Sequence, residues 1–178
     1  QGWQHEMFRE LDFTHEASNL SEVGSNMRAA ALGTTVPRPL RWSRRCLVMS
    51  FERGFKVTDV HALSLFGVDR DALMLRVVQV YAQQLFLDGF FNADPHAGNL
   101  MVRVDLRDGS ADATPVLLDF GMTVRLSRTQ RLAYALLAVS ASQMDMSGLQ
   151  TALGQLGIVM TQSSEMPERD LEFWRFFL

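Results

Sequence analysis

Two carboxylates and one amide carry most of the chemistry this sequence could perform. Asp94 and Asn99 stand five residues apart in Phe91-Asn92-Ala93-Asp94-Pro95-His96-Ala97-Gly98-Asn99-Leu100. Asp119 opens Asp119-Phe120-Gly121 directly after the apolar run Val116-Leu117-Leu118. An Asp with an Asn five residues on, followed by Asp-Phe-Gly at the end of an apolar strand, is an arrangement suited to phosphoryl transfer. That reaction needs charge compensation and in-line positioning more than covalent help from the protein. Asp94 is the candidate to orient an attacking hydroxyl or water. Asn99 and Asp119 offer hard oxygen ligands to Mg²⁺ and leave room for phosphates and water. Gly98 and Gly121 are expected to allow the backbone conformations that gather these groups into one cleft. The plainer alternative makes both Asp residues turn formers and Asn99 a cap. A lone Asp-Phe-Gly recurs by chance, whereas the two motifs in this order are specific.

Some departures from the protein-kinase pattern narrow the substrate. Asn92 and Ala93 stand where protein kinases place His-Arg, so there is no Arg to pair with an activation-loop phosphate. Few residues separate Gly121 from the next helix cap, and no Ala-Pro-Glu follows. The platform that holds a peptide substrate is therefore expected to be missing. His96 stands where many protein kinases place Lys. It could contact phosphate, donate a proton, or simply hydrogen-bond within its loop.

The elements that must position these groups can be read in outline. Residues 8–32, rich in good helix formers and free of Pro, predict a helix ended by Gly33 and Pro37. Pro37 and Pro39 bracket an extended link. Cys46-Leu47-Val48-Met49-Ser50-Phe51 predicts a buried strand, broken by Gly54. Residues 51–57 read as a connector between two lobes, with Thr58 or Asp59 capping a short helix. Asp69 or Asp71 caps a long helix to about Asp88, with Gly89 as its stop. The stripe Leu73, Val77, Val80, Tyr81, Gln84 and Leu85 reads as core packing. Residues 99–104 and 115–119 predict two short strands with Asp108-Gly109-Ser110 as the turn. A helix from about Arg128 to Gln143, with Leu132, Ala135, Leu136 and Val139 on one face, precedes another through Leu149–Leu156. The order predicts an α+β, protein-kinase-like bilobal domain. Residues 1 to about 50 would be the remainder of an N-lobe, and about 51–178 a mostly helical C-lobe.

Bulk properties agree with one folded domain. The chain has 178 residues, 47% hydrophobic and 21% charged, with a mean hydropathy of +0.00, unlike a disordered chain. A net charge of −3 gives no global case for a nucleic-acid partner. Arg38, Arg41, Arg44 and Arg45 cluster locally, as a solvated loop or as a patch for phosphates or lipid headgroups. Cys46 is the one cysteine, which excludes an intramolecular disulfide and a cysteine-rich metal site. The N-terminus does not read as a signal peptide. The longest uncharged stretches, 132–144 and 146–164, do not read as transmembrane: one is shorter than the ~20 residues required, and the other carries Ser, Gln, Thr and Gly. The opening without Met and the closing cluster Phe173-Trp174-Arg175-Phe176-Phe177-Leu178 suggest a fragment.

These residues resemble the UbiB (aarF-type) family of atypical kinases. Ala93-Asp94-Pro95-His96-Ala97-Gly98-Asn99 is similar to that family's Ala-Asp-Pro-His-Pro-Gly-Asn signature, with Ala97 in place of Pro. Glu10-Leu11-Asp12 resembles its Glu-x-Asp motif and Glu16-Ala17-Ser18-Asn19 its Glu-Ala-x-Asn. Leu47-Val48-Met49 resembles its hinge strand, although Ser50 stands where an acidic residue is usual. The likeness runs over roughly residues 5–160. It implies that Glu16 pairs with a nucleotide-binding Lys, that Met49 lies at the nucleotide, and that Glu10 and Asp12 contact an N-terminal extension over the active site. It implies Asp94 as the catalytic-loop Asp, Asn99 and Asp119 as metal ligands, and His96, Gly98, Phe120 and Gly121 as motif residues.

By the same resemblance the cofactors are ATP and Mg²⁺. The implied activity is an ATPase or small-molecule kinase linked to prenylquinone biosynthesis of the ubiquinone type. The implied partners are prenylquinone precursors or a membrane surface, in a mitochondrion, plastid or bacterial membrane. The nucleotide Lys is expected ahead of residue 1, because Lys56 lies near the hinge. The fragment by itself is expected to bind ATP poorly. Two rivals remain: a small-molecule phosphotransferase of the aminoglycoside or choline type, and a pseudokinase scaffold without catalysis.

Overall fold

Capping residues set the frame of the molecule. Asp12 accepts from the backbone N–H of Thr14 and starts α1 (Phe13–Ala30). Asp59 caps α2 (Val60–Leu65) and Asp69 caps α3 (Arg70–Ala82). Ser127 and Gln130 form a reciprocal capping box at α4 (Arg128–Ser142), and Asp145 caps α5 (Met146–Gln155). Each such cap contributes about 1 kcal/mol by satisfying helix N–H groups that have no carbonyl partner. The computed structural model describes residues 12–107 and 110–158. Glu10, the expected helical residues 8–11, Asp108-Gly109 of the turn and the aromatic cluster 173–178 lie outside the described residues.

Among the described residues, seven strands form small antiparallel sheets. β1 (Pro39–Ser43) pairs with β2 (Cys46–Met49). β3 (Phe55–Lys56), β5 (Leu100–Arg107) and β6 (Ser110–Leu117) form a sheet in the order β3-β5-β6. β4 (Phe90–Asn92) pairs with β7 (Thr123–Arg125), with Asn92 opposite Thr123. A π-helical turn, Gln83–Asp88, joins α3 to β4, and a 3₁₀ turn, Ala97–Asn99, leads into β5.

The chain divides into two compact units, through Arg125 and from Leu126 onward. In the first, Leu20, Val23 and Met27 of α1 pack with Val80, Phe90, Leu100, Leu117 and Phe120. A neighbouring cluster joins Leu63, Val68, Leu73 and Val102. In the second, Ala133 and Ser140 of α4 and Leu149, Ala152 and Leu153 of α5 are buried. A Cβ at Gly148 would collide with the Ser140 hydroxyl, so glycine lets the two helices meet closely.

Several elements differ from the sequence expectations, each for a physical reason. α1 ends at Ala31, which adopts the left-handed conformation with φ 54°, before Gly33 is reached. The Pro39 link is itself a strand. Val48 and Cys46 in β2 are exposed, because this two-stranded hairpin covers only one face of each strand. The connector contains β3, whose backbone pairs with Met101 and Val102. The α-helical geometry of α3 stops at Ala82, and the remaining turn to Asp88 is π-helical. Gly89, φ 64°, is the stop expected. β5 and β6 run longer than predicted, since backbone pairing continues past the apolar residues through Arg103–Thr114 and Asp105–Asp112. On α4, Leu132 and Val139 are exposed, while the buried positions are Ala133 and Ser140.

Candidate functional site

Phe120 fixes the first carboxylate. Its ring is fully buried among the α1 core residues, a burial that stabilises by roughly 1.5–3 kcal/mol. Its carbonyl accepts from Asn19 Nδ2 of α1 at 2.9 Å. Two residues earlier, the Leu118 N–H donates to the Asn99 carbonyl at 3.0 Å, which ties the end of β6 to the 3₁₀ turn. Asp119, between them, is exposed. Its Oδ1 accepts from the Gly121 N–H at 2.8 Å, and among the described residues Oδ2 meets no donor.

Asn92 fixes the second. It is buried at the end of β4, and its Nδ2 donates to the Asp119 carbonyl at 2.6 Å. Its Oδ1 accepts from the Asp94 N–H at 2.8 Å. The Ala93 N–H donates to the Met122 carbonyl, extending the β4–β7 pairing up to Asp94. The Asp94 carboxylate is left exposed. Beyond it the loop closes on itself: the His96 N–H donates to the Asp94 carbonyl and His96 Nδ1 accepts from the Gly98 N–H at 2.8 Å.

Glu16, Asn92, Asp94, Asp119, Gly121 and Met122 line one open cleft of about 230 Å³. Burial pushes the Glu16 carboxyl above its ordinary pKa, and the Asp119 charge adds to the shift. Burial likewise raises Tyr81, with the Asp94 charge as the lesser cause. The ion pairs of the described residues involve other acids: Asp12, Asp112, Asp105 and Glu22. The cleft therefore gathers three carboxylates without a described cation.

The glycines act differently from expectation. Neither Gly98 nor Gly121 has positive φ. Gly98 is needed for space, since a Cβ there would lie 2.5 Å from the His96 ring. At Gly121 the backbone N–H holds Asp119, and a Cβ would press on that carboxylate at 3.3 Å. Asn99 holds the Leu118 N–H through its backbone carbonyl and is not among the residues lining the cleft. Met49 packs against the α1 core cluster and also lies off the lining. Asp12 is the α1 cap, held by Thr14 and, at 3.5 Å, by Arg44. Lys56 is exposed on β3, opposite Met101. No group of three or more His, Cys, Asp or Glu forms a ready cage for a metal ion among the described residues. An open set of one or two carboxylates suits Mg²⁺, which keeps waters and takes phosphate oxygens as ligands. Sequence reasoning read Gln84 as core packing and Asn92 only as a departure from His-Arg, whereas buried Asn92 lines the cleft and buried Gln84 stands behind it. The signal was a glutamine on an apolar stripe.

The fold and the cleft together define an α+β, protein-kinase-like domain. The Rv3197–erythromycin complex from Mycobacterium tuberculosis shares this fold, with a TM-score of 0.55 at 17% identity. The match covers 86% of this chain and 37% of that one. The chain belongs to the ABC1 atypical kinase-like domain family, whose sequence profile matches residues 1–153. It is 33% identical to the AarF domain-containing kinase 1 of Drosophila melanogaster over 152 residues, 84% of this chain and 28% of that protein. It is 31% identical to ACTIVITY OF BC1 COMPLEX KINASE 8, chloroplastic, of Arabidopsis thaliana over 157 residues, 86% of this chain and 20% of that protein. The chain thus spans less than a third of the length of these relatives.

Proposed function

We propose that this domain belongs to an Mg-ATP-dependent phosphotransferase or ATPase that acts on a small molecule. The observation that carries the reading is the convergence of Glu16, Asp94 and Asp119 on one cleft with no described cation to balance them. Asp119, on the cleft lining, would hold Mg²⁺, with Asn99, which lies off that lining, as the expected second ligand; the ion would supply charge compensation to the β and γ phosphates. Asp94 orients the acceptor O–H and takes its proton as the oxygen bonds to the γ phosphorus and the bond to the ADP oxygen breaks. Glu16 pairs with a lysine from outside the residues described. Residues to about 50 form the remainder of the N-lobe and the rest the C-lobe. The short path from Gly121 through β7 to the Ser127 cap leaves little room for a peptide platform, which favours a small acceptor or water.

In this reading the physiological link is to prenylquinone biosynthesis of the ubiquinone type or its regulation. The place is a mitochondrion, plastid or bacterial membrane surface, with quinone precursors or that surface as partner. Among the described residues no helix is long and apolar enough to cross a membrane. The test is Mg²⁺-dependent ATP turnover by the full-length protein. Asp119→Ala is expected to abolish it, and Asp94→Asn to lower it by about 100-fold or more. Turnover indifferent to both changes would sink the enzymatic reading. Quinone output that survives both would favour a pseudokinase scaffold.

A further inference from the structure

We infer that Gln84 is a positioning residue of this cleft, acting through Asn92 to hold Asp94 and Asp119 in register; as a statement about catalysis this rests on the function proposed above. Gln84 lies off the cleft and is fully buried. It sits in the π-helical turn, where Gly89, in the left-handed conformation, donates its N–H to the Gln84 carbonyl and turns the chain back on itself. That reversal brings β4 alongside, and Gln84 Oε1 accepts from the Asn92 N–H at 3.3 Å. Gln84 Nε2 in turn donates to the Val80 carbonyl at 3.4 Å.

Asn92 thus has a fixed backbone, and its single amide spans the two chemical segments. It donates to the Asp119 carbonyl and accepts from the Asp94 N–H. No other described side chain bonds to both segments. A leucine at 84 would pack as well on that stripe. The glutamine is explained by what it holds, because a buried amide is tolerated only where its hydrogen bonds are made. A π-helical turn at this point is also a feature often found next to functional sites.

The experiment compares wild type, Gln84→Leu, Gln84→Asn and Gln84→Glu in the full-length protein, with two readouts. The first is amide hydrogen exchange without ligand. Gln84→Leu is expected to speed exchange at Asn92, Asp94 and Gly121 by about tenfold while Val102 and Val116 stay protected. Gln84→Glu, whose buried carboxyl when protonated keeps both the acceptor oxygen and a donor to the Val80 carbonyl, restores protection. Gln84→Asn retracts the amide by one methylene and should behave like Gln84→Leu, so it replaces that variant if leucine impairs folding. The second readout is Mn²⁺ affinity in the presence of ATP, expected to fall about 10- to 100-fold with the same rescue.

Wild-type exchange rates at Asp94 and Gly121 in both Gln84→Leu and Gln84→Asn would overturn the inference, whether or not wild type binds Mn²⁺. Acceleration spread evenly over β5 and β6 would also overturn it, by marking Gln84 as a general core residue. Local acceleration with no Mn²⁺ bound by wild type would uphold the positional role and overturn the phosphotransfer reading instead.

Discussion

Asp119 and Glu16 approach each other because each is held by a different neighbour. Asp119 is set by Phe120 burial and by the Gly121 N–H, and Glu16 rides on α1 one turn before Asn19, which grips the Phe120 carbonyl. The result is two acids sharing a half-buried space, and Glu16 carries the cost: its carboxyl is raised by burial and then by Asp119. A raised carboxyl means that the folded state prefers the protonated form. The associated stability is present below the ordinary Glu pKa and is lost as pH rises through the raised value. Glu16→Gln should therefore melt at a higher temperature than wild type at pH 7 in metal-free buffer. The gap should shrink as pH falls to about 4. Thermal melts at several pH values test this, and a gap independent of pH would contradict it.

α1 and β7 are joined at the element scale by a second contact, farther from the cleft. Arg125 forms a two-point ion pair with Glu22, at 2.9 and 2.7 Å, and its guanidinium lies 4.3 Å from the Phe90 ring centroid. The Arg125 and Glu22 side chains are 61% and 39% exposed, so solvent screens the pair and it contributes at most about 1 kcal/mol. Phe120 burial outweighs it as the anchor between α1 and the Asp119 segment. A double-mutant cycle by urea denaturation should give Arg125→Glu a loss of about 1 kcal/mol, with partial recovery on adding Glu22→Arg. Recovery is partial because a carboxylate at position 125 cannot reproduce the stacking of the guanidinium on Phe90. Full additivity of the two changes would show that the pair carries no coupling.

The whole molecule consists of two compact units, and every residue lining the cleft belongs to the first. A ligand that binds only the folded cleft stabilises by about 2.7 kcal/mol at 100 times its Kd. Mg-ATP should therefore raise the melting temperature of the full-length protein at the first unit's transition, and Asp119→Ala should remove that response. An unchanged melting temperature in wild type at saturating Mg-ATP would mean that the folded protein does not bind the nucleotide.

What the sequence determined by itself was local. The caps narrowed to Thr58 or Asp59 and to Asp69 or Asp71, the Gly89 stop and the five-residue step from Asp94 to Asn99 depend on residues a turn or two apart. Side-chain type and spacing settle such contacts. The motif pair also marked Asp94 and Asp119 as partners, and the resemblance added Glu16. The tertiary structure alone decided that Glu16 shares a cleft with Asp119 from a distant part of the chain, that Asn92 binds both acidic segments, and that Gln84 stands behind Asn92. It also decided that Gly98 serves the His96 ring through space rather than φ. Such contacts follow from the path of the backbone through the core, which no short window of sequence contains. A polar residue on an apolar stripe reads as packing until its partner, eight positions away after a chain reversal, is seen beside it.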